Sequence, residues 1–251
     1  MFLLEIRNLT KHFGGLAAVN NLNFHVNQGE ILGLIGPNGA GKSTFFNLVT
    51  SYYKPSSGKI IFKGKDITNF KTHQVAELGI GRTFQKTSVF KEMSVKQNIN
   101  VAHNLYCNTS LYQQFLSTYQ SREIERKISK KTNDIINFIG LKKYENEIAK
   151  NLPHGVLRLL EIAIVLAIKP ILILLDEPFT GMNTAEVNKV VNLVKLINKE
   201  KITIIIVEHN MQAILKISDR MIVMDFGNKI AEGKPDEIIK DEKVIKAYIG
   251  E

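Results

Sequence analysis

The sequence predicts an α/β fold with a mostly parallel sheet, an antiparallel β part at the N-terminus and an inserted helical subdomain. Three apolar runs lack the polar–apolar alternation of half-exposed strands and are separated by helical patterns; they are residues 30–35, 171–175 and 202–207. Runs of this kind are typical of strands buried on both faces of a parallel sheet. Residues 3–6 and 22–26 are short, β-prone and partly alternating, which predicts the antiparallel part.

The middle of the chain predicts the helical insertion. Between residues 90 and 152 strand character is weak, and apolar residues keep an approximate helical spacing at Ile124, Ile128, Ile135, Phe138 and Ile139. We expect Gly140 to be the C-terminal cap of this helix. Basic residues occupy the opposite face: Arg122, Arg126, Lys127, Lys130 and Lys131. A solvated helix face is the favoured interpretation of these charges, and a docking or membrane-facing surface is the alternative.

Composition restricts the class of protein. The chain has 251 residues, of which 44% are hydrophobic and 23% charged, a mixture typical of a soluble globular protein. A net charge of +9 fits either an acidic partner or a solvated basic surface. Cys107 is the only cysteine, so we expect no internal disulfide and a reducing compartment. No signal peptide is recognisable, and the most apolar stretch, interrupted by Lys169 and Pro170, is too short to span a bilayer.

A phosphate-binding loop carries the main chemical signal. The pattern G-x-x-x-x-G-K-[ST] is matched by Gly36, Pro37, Asn38, Gly39, Ala40, Gly41, Lys42, Ser43 and Thr44. Its glycines let the backbone wrap a phosphate, and the following helix adds the positive end of its dipole. We expect Lys42 to contact the β- and γ-phosphates and the Ser43 hydroxyl to bind Mg²⁺.

An acidic pair supports this interpretation. Asp176 and Glu177 follow the apolar run 171–175, at the carboxyl end of a predicted strand, where ligands bind in open α/β sheets. Buried acids are costly without a cation or substrate. We therefore expect Asp176 to hold Mg²⁺ through water and Glu177 to orient and deprotonate the attacking water.

The order of these motifs resembles the ATP-binding-cassette (ABC) ATPase domain over essentially the whole chain. The matching residues are Phe13, the loop 36–44, Gly81 to Gln85, the segment near Gly155, Leu174 to Pro178, and His209. The resemblance implies that Phe13 stacks on adenine, that Gln85 reaches Mg²⁺ and the attacking water, and that His209 hydrogen-bonds the γ-phosphate. Glu177, His209, Lys42 and Gln85 are then the catalytic candidates, and Ser43, Gln85 and Asp176 the metal candidates.

Two segments depart from the common ABC pattern. The helix start that such ATPases present to a partner's nucleotide usually reads L-S-G-G-Q, and here it is Leu152, Pro153, His154, Gly155, Val156. Pro153, His154 and Gly155 remain candidate nucleotide-binding residues, although the serine hydroxyl is replaced and proline lacks an N–H. Further along, Asn183 carries an amide where aspartate is usual.

The resemblance also implies an organisation and a mechanism. Residues 1–251 form a single ABC ATPase domain, with a P-loop NTPase (RecA-like) core in 1–86 and 166–251 and a helical subdomain in 87–165. Two cassettes close around two ATP–Mg²⁺ and reopen after hydrolysis, and this motion drives transmembrane permease subunits. The cofactors are ATP and Mg²⁺.

Several segments are similar to the ATPase subunits of branched-chain amino-acid importers: residues 11–19, 79–85, 158–163 and the tail 230–251. This similarity implies a peripheral location on the cytoplasmic face of the plasma membrane. It also implies a second, different cassette as partner, a homodimer being possible, and an indirect link to a solute-binding protein. A lipopolysaccharide-export ATPase is the nearest alternative. A nucleic-acid-associated cassette is a further alternative, disfavoured because the chain has neither tandem cassettes nor a heptad run, and no nucleic-acid partner is expected.

Overall fold

The computed structural model describes residues 2–83, 89–104 and 119–249. Gln85 and Cys107, which the sequence analysis singled out, lie outside the described residues. Within the described ranges the strands are β1 (Leu4–Phe13), β2 (Leu16–Val26), β3 (Ile31–Ile35), β4 (Ser57–Phe62), β5 (Lys65–Asp66), β6 (Ile80–Arg82), β7 (Leu172–Asp176), β8 (Thr203–Val207), β9 (Arg220–Asp225) and β10 (Asn228–Gly233).

The described helices lie between and after these strands. They are α1 (Lys42–Val49), α2 (Thr72–Glu77), α3 (Val95–Asn104), α4 (Tyr119–Ile139), α5 (His154–Ala167), α6 (Thr184–Lys199), α7 (Met211–Ile217), α8 (Pro235–Ile238) and α9 (Glu242–Ile249). Across the described residues, each helix is too short or too polar to cross a membrane.

The described strands form two sheets. One has the order β10-β9-β3-β8-β7-β6, in which β9, β3, β8, β7 and β6 are parallel and β10 is antiparallel. The other is antiparallel, with the order β2-β1-β4-β5. The predicted α/β class with a mostly parallel sheet and an antiparallel N-terminal part is confirmed.

The central strands lack alternation because both of their faces are covered. All five residues of β3, of β7 and of β8 are buried. Parallel strands end at the same edge of a sheet, so the loops that follow β3, β7 and β8 lie side by side. This edge carries the phosphate loop, the acidic pair and His209.

The chain divides into two compact units. The first comprises Met1–Arg82, Ile171–Thr180 and Val187–Glu251, and its core includes Phe45, Phe46 and Phe62, each at most 1% exposed. The second comprises Thr83–Pro170 and Gly181–Glu186 and contains the described helices α3, α4 and α5. The predicted limits 1–86, 87–165 and 166–251 stay a prediction; in the structure, Gly181–Glu186 also groups with the helical unit.

The buried face of helix α4, in the second unit, agrees with the predicted apolar spacing except at one position. Ile128 and Ile139 are buried, but Phe138 is 41% exposed and Ile136 lies in the core instead. Gly140 adopts a φ of 82° directly after the helix, and the Leu141 amide bonds back to the Ile136 carbonyl, as expected of a C-terminal cap. The basic side chains Arg126, Lys127, Lys130 and Lys131 are exposed.

Candidate functional site

The phosphate loop joins β3 to α1 and is packed too closely for side chains at two of its glycines. A Cβ on Gly36 would lie 2.0 Å from the Met224 carbonyl oxygen, and one on Gly41 would lie 2.2 Å from the Ala18 carbonyl oxygen. Gly41 also has a φ of 99° at the N-cap of α1, a conformation that L-residues rarely adopt. The backbone of the loop therefore packs directly against β9 and β2. It lies at the N-terminus of α1, where backbone amides favour an anion.

The side chain of Lys42 lies within the phosphate loop, where we expect it to contact the bound phosphates. Its ammonium donates hydrogen bonds to the carbonyl oxygens of Gly36 at 2.6 Å and Pro37 at 2.8 Å. Burial lowers the pKa of Lys42, and the nearby carboxylates of Glu177 and Asp176 act in the opposite direction. An ammonium has three protons, so a donor is left for a phosphate oxygen.

Two further loop residues are accessible. Ser43 is exposed and Thr44 is half-buried at the start of α1. Tyr248 in α9 lies close enough to the loop for the Gly36 backbone to influence its hydroxyl. Desolvation raises the pKa of Tyr248, and the Gly36 backbone opposes the rise.

Asp176, the last residue of β7, is held by a buried arginine. Its Oδ2 lies 2.8 Å from Nη2 of Arg82, and the two side chains are only 1% and 7% exposed. Arg82 also donates from Nη1 to Oδ1 of Asn47 in α1 at 2.6 Å. Arg82 therefore ties the acidic strand end to the helix that follows the phosphate loop. The sequence analysis did not assign Arg82 a role, although it ends the short strand β6 and lies within the stretch Gly81 to Gln85 that matches the ABC pattern.

Glu177 has a backbone conformation that fits a functional position. Its φ is 48°, a left-handed value that is strained for a residue with a side chain. Its amide donates to the Val207 carbonyl at 2.9 Å, which fixes it beside the end of β8. Its Oε1 lies 3.1 Å from Nε2 of His209, and the His209 side chain is 41% exposed. The structure thus brings together two of the predicted catalytic residues, at a point open to solvent.

Glu208 adds a carboxylate that the sequence analysis missed. Its side chain is 3% exposed and accepts hydrogen bonds from the backbone amides of Phe179, His209 and Asn210. Its position between the apolar strand β8 and His209 was the available sequence signal.

Phe13 ends β1 and offers a partly exposed ring, 43% accessible. The Tyr53 ring meets it edge-on, with centroids 5.2 Å apart and an interplanar angle of 75°. The Lys11 ammonium lies 5.1 Å from the Phe13 centroid and 5.9 Å from the Tyr53 centroid. An accessible aromatic face braced in this way is suited to stacking on a planar base.

Residues 152–156, which depart from the common ABC pattern, lie in the second unit, at the start of α5. Pro153 occupies the N-cap with a φ of −55° and makes no side-chain cap hydrogen bond, and Pro153 and His154 are both exposed. A Cβ on Gly181 would lie 3.1 Å from Cε1 of His154, and a Cβ on Gly155 would lie 2.9 Å from Oε1 of Glu186. Pro153, His154 and Gly155 thus form a tightly packed helix start with an exposed edge.

Asn183 performs a capping role at the start of α6. Its side-chain Oδ1 accepts a hydrogen bond from the backbone N–H of Glu186, and its backbone N–H donates one to Oε2 of Glu186, both at 3.0 Å. An aspartate would accept the first of these hydrogen bonds equally well. Asparagine in place of the usual aspartate therefore keeps this local structure.

The predicted residues are therefore distributed over two units. Phe13, the loop 36–44, Asp176, Glu177 and His209 belong to the first unit. The segment Pro153, His154 and Gly155 belongs to the second. Gln85 and the adjacent Phe84 lie outside the described residues.

Comparison with known proteins identifies the family. The family model of the ABC transporter matches residues 19–180, which include the phosphate loop and the acidic pair. The chain belongs to the ABC transporter family. A second family model, the branched-chain amino acid ATP-binding cassette transporter, matches residues 228–251 of this cassette.

Curated relatives match the cassette over its full length. It is 38% identical over 250 residues to the high-affinity branched-chain amino acid transport ATP-binding protein LivG of Escherichia coli K12, covering 99% of this chain and 98% of the relative. It is 37% identical over 250 residues to the corresponding protein BraF of Pseudomonas aeruginosa, with the same coverage of 99% and 98%.

Solved structures agree with the fold. A crystal structure of a nucleotide-free ATP-binding cassette from an ABC transporter is similar, with a TM-score of 0.88, 32% sequence identity and coverage of 100% of both chains. Family, relatives and structure together establish the cassette as an ATP-binding, ATP-hydrolysing subunit, as the motifs predicted.

Proposed function

We propose that this cassette is the ATPase subunit that energises the uptake of branched-chain, hydrophobic amino acids through a membrane permease. The observation that carries the proposal is the match of residues 228–251 to the branched-chain amino acid cassette model, added to full-length similarity to relatives named for that transport. The phosphate loop and the acidic pair lie within the match to the broad ABC transporter model, whereas this C-terminal segment matches a model described for branched-chain amino acid cassettes. The segment includes Tyr248, whose hydroxyl is near the Gly36 backbone of the phosphate loop.

The site residues divide the work of ATP hydrolysis. Phe13 stacks on adenine, and the backbone amides of residues 36–44 surround the phosphates. Lys42 contributes a positive charge to the β- and γ-phosphates. Glu177 orients and deprotonates the attacking water, and His209, 3.1 Å from it, hydrogen-bonds the γ-phosphate. Gln85 links the nucleotide to the helical unit.

Mg²⁺ fits the residues that are present. The Ser43 hydroxyl and the Asp176 carboxylate are oxygen donors, the type of ligand that Mg²⁺ prefers, and Gln85 adds an amide oxygen. When bound, the ion neutralises charge on the β- and γ-phosphate oxygens. Arg82 holds the Asp176 carboxylate in place at 2.8 Å, so the position of this carboxylate, which would bind the ion through water, does not depend on the ion.

The partners follow from the same proposal. Two cassettes close head-to-tail around two nucleotides. Pro153, His154 and Gly155 of this chain contact the partner's nucleotide, and the corresponding segment of the partner contacts the nucleotide of this chain. The second cassette is a different chain, so the ATPase is a heterodimer. It sits on the cytoplasmic face of the plasma membrane against two permease subunits, and a solute-binding protein acts on the far side of the permease.

The test combines capture and uptake in cells that carry the natural operon. Glu177→Gln protein with an affinity tag is held closed with ATP, extracted from native membranes, and its companions are identified by mass spectrometry. Uptake of radiolabelled leucine is compared in cells that express wild-type or Glu177→Gln protein in place of the chromosomal copy. We expect two permease subunits, a second cassette, and leucine uptake with the wild type only.

Other outcomes would redirect the assignment. A homodimer bound to envelope-export proteins, with unchanged leucine uptake, would favour lipopolysaccharide export. ATPase activity stimulated by DNA or RNA, with no membrane companion, would favour a nucleic-acid-associated cassette.

A further inference from the structure

The carboxylate of Glu208 is a buried acid at the nucleotide edge of the first unit and accepts three backbone hydrogen bonds. Its side chain follows β8 and is 3% exposed. Oε1 accepts a hydrogen bond from the Phe179 amide at 2.7 Å. Oε2 accepts from the amides of His209 at 2.9 Å and Asn210 at 3.2 Å.

These three hydrogen bonds connect two different loops. Phe179 is two residues after Glu177, in the loop that follows β7. His209 and Asn210 lie in the loop that follows β8, and Asn210 caps α7 by accepting from the Ala213 amide at 3.1 Å. One side chain therefore joins the loop of the acid Glu177 to the loop of His209.

The same two loops also meet through side chains. His209 Nε2 lies 3.1 Å from Glu177 Oε1, and the Glu177 amide donates to the Val207 carbonyl at 2.9 Å. The Glu208 carboxylate and the Glu177–His209 contact thus form a closed ring of interactions. In such a ring, a displacement of either loop changes the separation of Glu177 and His209.

An ionised carboxylate suits this place better than a neutral group of the same shape. It offers about four acceptor sites and no donor, so it serves three amides at once. Desolvation raises the pKa of Glu208, the amides of Phe179, Asn210 and His209 lower it, and the charge of Glu177 raises it. Glutamine would replace one oxygen with an NH₂ group that faces a backbone N–H, and one or more amides would lose their acceptor.

We propose that Glu208 is a positioning residue for ATP hydrolysis, which holds Glu177 and His209 at the separation that the reaction needs. The inference rests on the catalytic roles proposed above for those two residues. Glu208 lies beneath both loops and acts through backbone amides. We therefore expect its loss to reduce the rate of hydrolysis while ATP still binds, because the phosphate loop and Phe13 do not depend on it.

The experiment compares Glu208→Gln with a matched control, Glu30→Gln. Glu30 is also a buried glutamate of the first unit, 8% exposed, and accepts from the Asn27 amide at 2.7 Å and from Arg220, but it precedes β3 at the opposite edge of the sheet. Single-turnover hydrolysis and the Kd for ATP are measured for both, below the unfolding midpoint of each variant. We expect hydrolysis to fall about tenfold or more in Glu208→Gln, with the Kd changed less than about twofold, and little change in either quantity in Glu30→Gln.

A double-mutant cycle separates positioning from general destabilisation. In a His209→Ala background, Glu208→Gln should change the residual rate by less than about twofold, because the separation that it maintains no longer matters. If Glu208→Gln does not fold, Glu208→Asp, which keeps the charge and both oxygens, replaces it in both measurements, with a smaller expected loss.

Three results would overturn the proposal: an unchanged rate in the folded Glu208 variant, an equal loss in Glu30→Gln, or the full loss repeated in the His209→Ala background. Parallel assays of Glu177→Gln test the underlying assignment. If that variant hydrolyses ATP normally, the catalytic roles are wrong, and the failure lies there rather than with Glu208.

Discussion

The ammonium of Lys11 lies 5.1 Å from the centroid of the Phe13 ring, and the same ammonium is fixed by a 2.7 Å hydrogen bond to the Lys54 carbonyl oxygen. With the Tyr53 ring edge-on at 5.2 Å, this arrangement restricts the orientation of Phe13. An aromatic ring that is already oriented loses less entropy when adenine stacks on it. The adenine platform proposed for Phe13 is thus a group of three side chains rather than one exposed ring.

Replacing Lys11 by methionine should weaken ATP binding by about threefold, the effect of losing one exposed cation–π contact. Phe13→Ala should weaken it by about tenfold or more, because the stacking surface is removed. Titration calorimetry with ATP in the Glu177→Gln background gives both values without turnover.

A second cation–π pair in the same unit provides the control. The Lys65 ammonium lies 4.8 Å from the Phe70 centroid, in a pair that does not include Phe13. Lys65→Met should leave the Kd for ATP unchanged. An equal weakening by Lys65→Met and Lys11→Met would mean that surface charge, not the platform, determines the effect.

Glu177→Gln should reduce hydrolysis by at least about 100-fold, because an amide cannot accept the proton of the attacking water. ATP binding should be kept or tightened, since Gln removes a negative charge near Lys42, on which the Glu177 carboxylate acts. Phosphate release under single-turnover conditions measures the first effect and calorimetry the second. Simultaneous loss of binding and hydrolysis would show that Glu177 maintains the site rather than acting on water.

Much of this site was predictable because its parts are contiguous in the chain. Residues 36–44 form one uninterrupted motif, and the runs that became β7 and β8 deliver Glu177 and His209 to one edge of the sheet. Contacts between distant residues were not predictable. Arg82 and Asp176 are 94 positions apart and Phe179 and Glu208 are 29 apart, and no local pattern specifies either pairing.

The core of α4 shows another limit of sequence patterns. Phe138 fits the apolar helical spacing about as well as Ile136, yet Ile136 is fully buried and Phe138 is 41% exposed. Periodicity gives the buried face only to within neighbouring positions, and the packing of α3 and α5 against α4 selects between them.

His103 should make stability depend on pH. It lies in α3 and is 6% exposed; burial lowers its pKa, and the charges of Lys131 and Lys169 lower it further, against a hydrogen bond with the Ala167 backbone. As pH falls, the unfolded chain binds a proton near the ordinary histidine value of about 6.5, before the native His103 does. Stability contributed by neutral His103 is therefore lost as pH falls from about 6.5 towards the lower native pKa.

Denaturant unfolding between pH 7.5 and 5.5 tests this sign. The wild type should lose more unfolding free energy over that interval than His103→Gln, which has no titrating ring. His73→Gln, an exposed histidine in α2, should follow the wild type. Parallel curves for the wild type and His103→Gln would contradict the prediction.

Pro153→Ser tests whether the unusual start of α5 limits hydrolysis. Pro153 is the N-cap of α5 and makes no cap hydrogen bond, although its carbonyl accepts from the Leu157 amide at 3.0 Å. A serine there would cap a free amide of the first turn and stabilise the helix start by about 1 kcal/mol. It would also restore the hydroxyl that the common ABC pattern presents to the partner's nucleotide.

Two effects can therefore follow from one substitution, and Pro153→Ala separates them. Alanine removes the ring without supplying a hydroxyl, so it provides neither the cap nor the nucleotide contact. If the segment limits turnover, Pro153→Ser should raise the steady-state ATPase rate of the assembled transporter about twofold or more over both wild type and Pro153→Ala, about the effect of one modest hydrogen bond. A gain in thermal stability without a gain in rate would show that Pro153 affects only the helix start, and that the two nucleotide sites do not differ because of it.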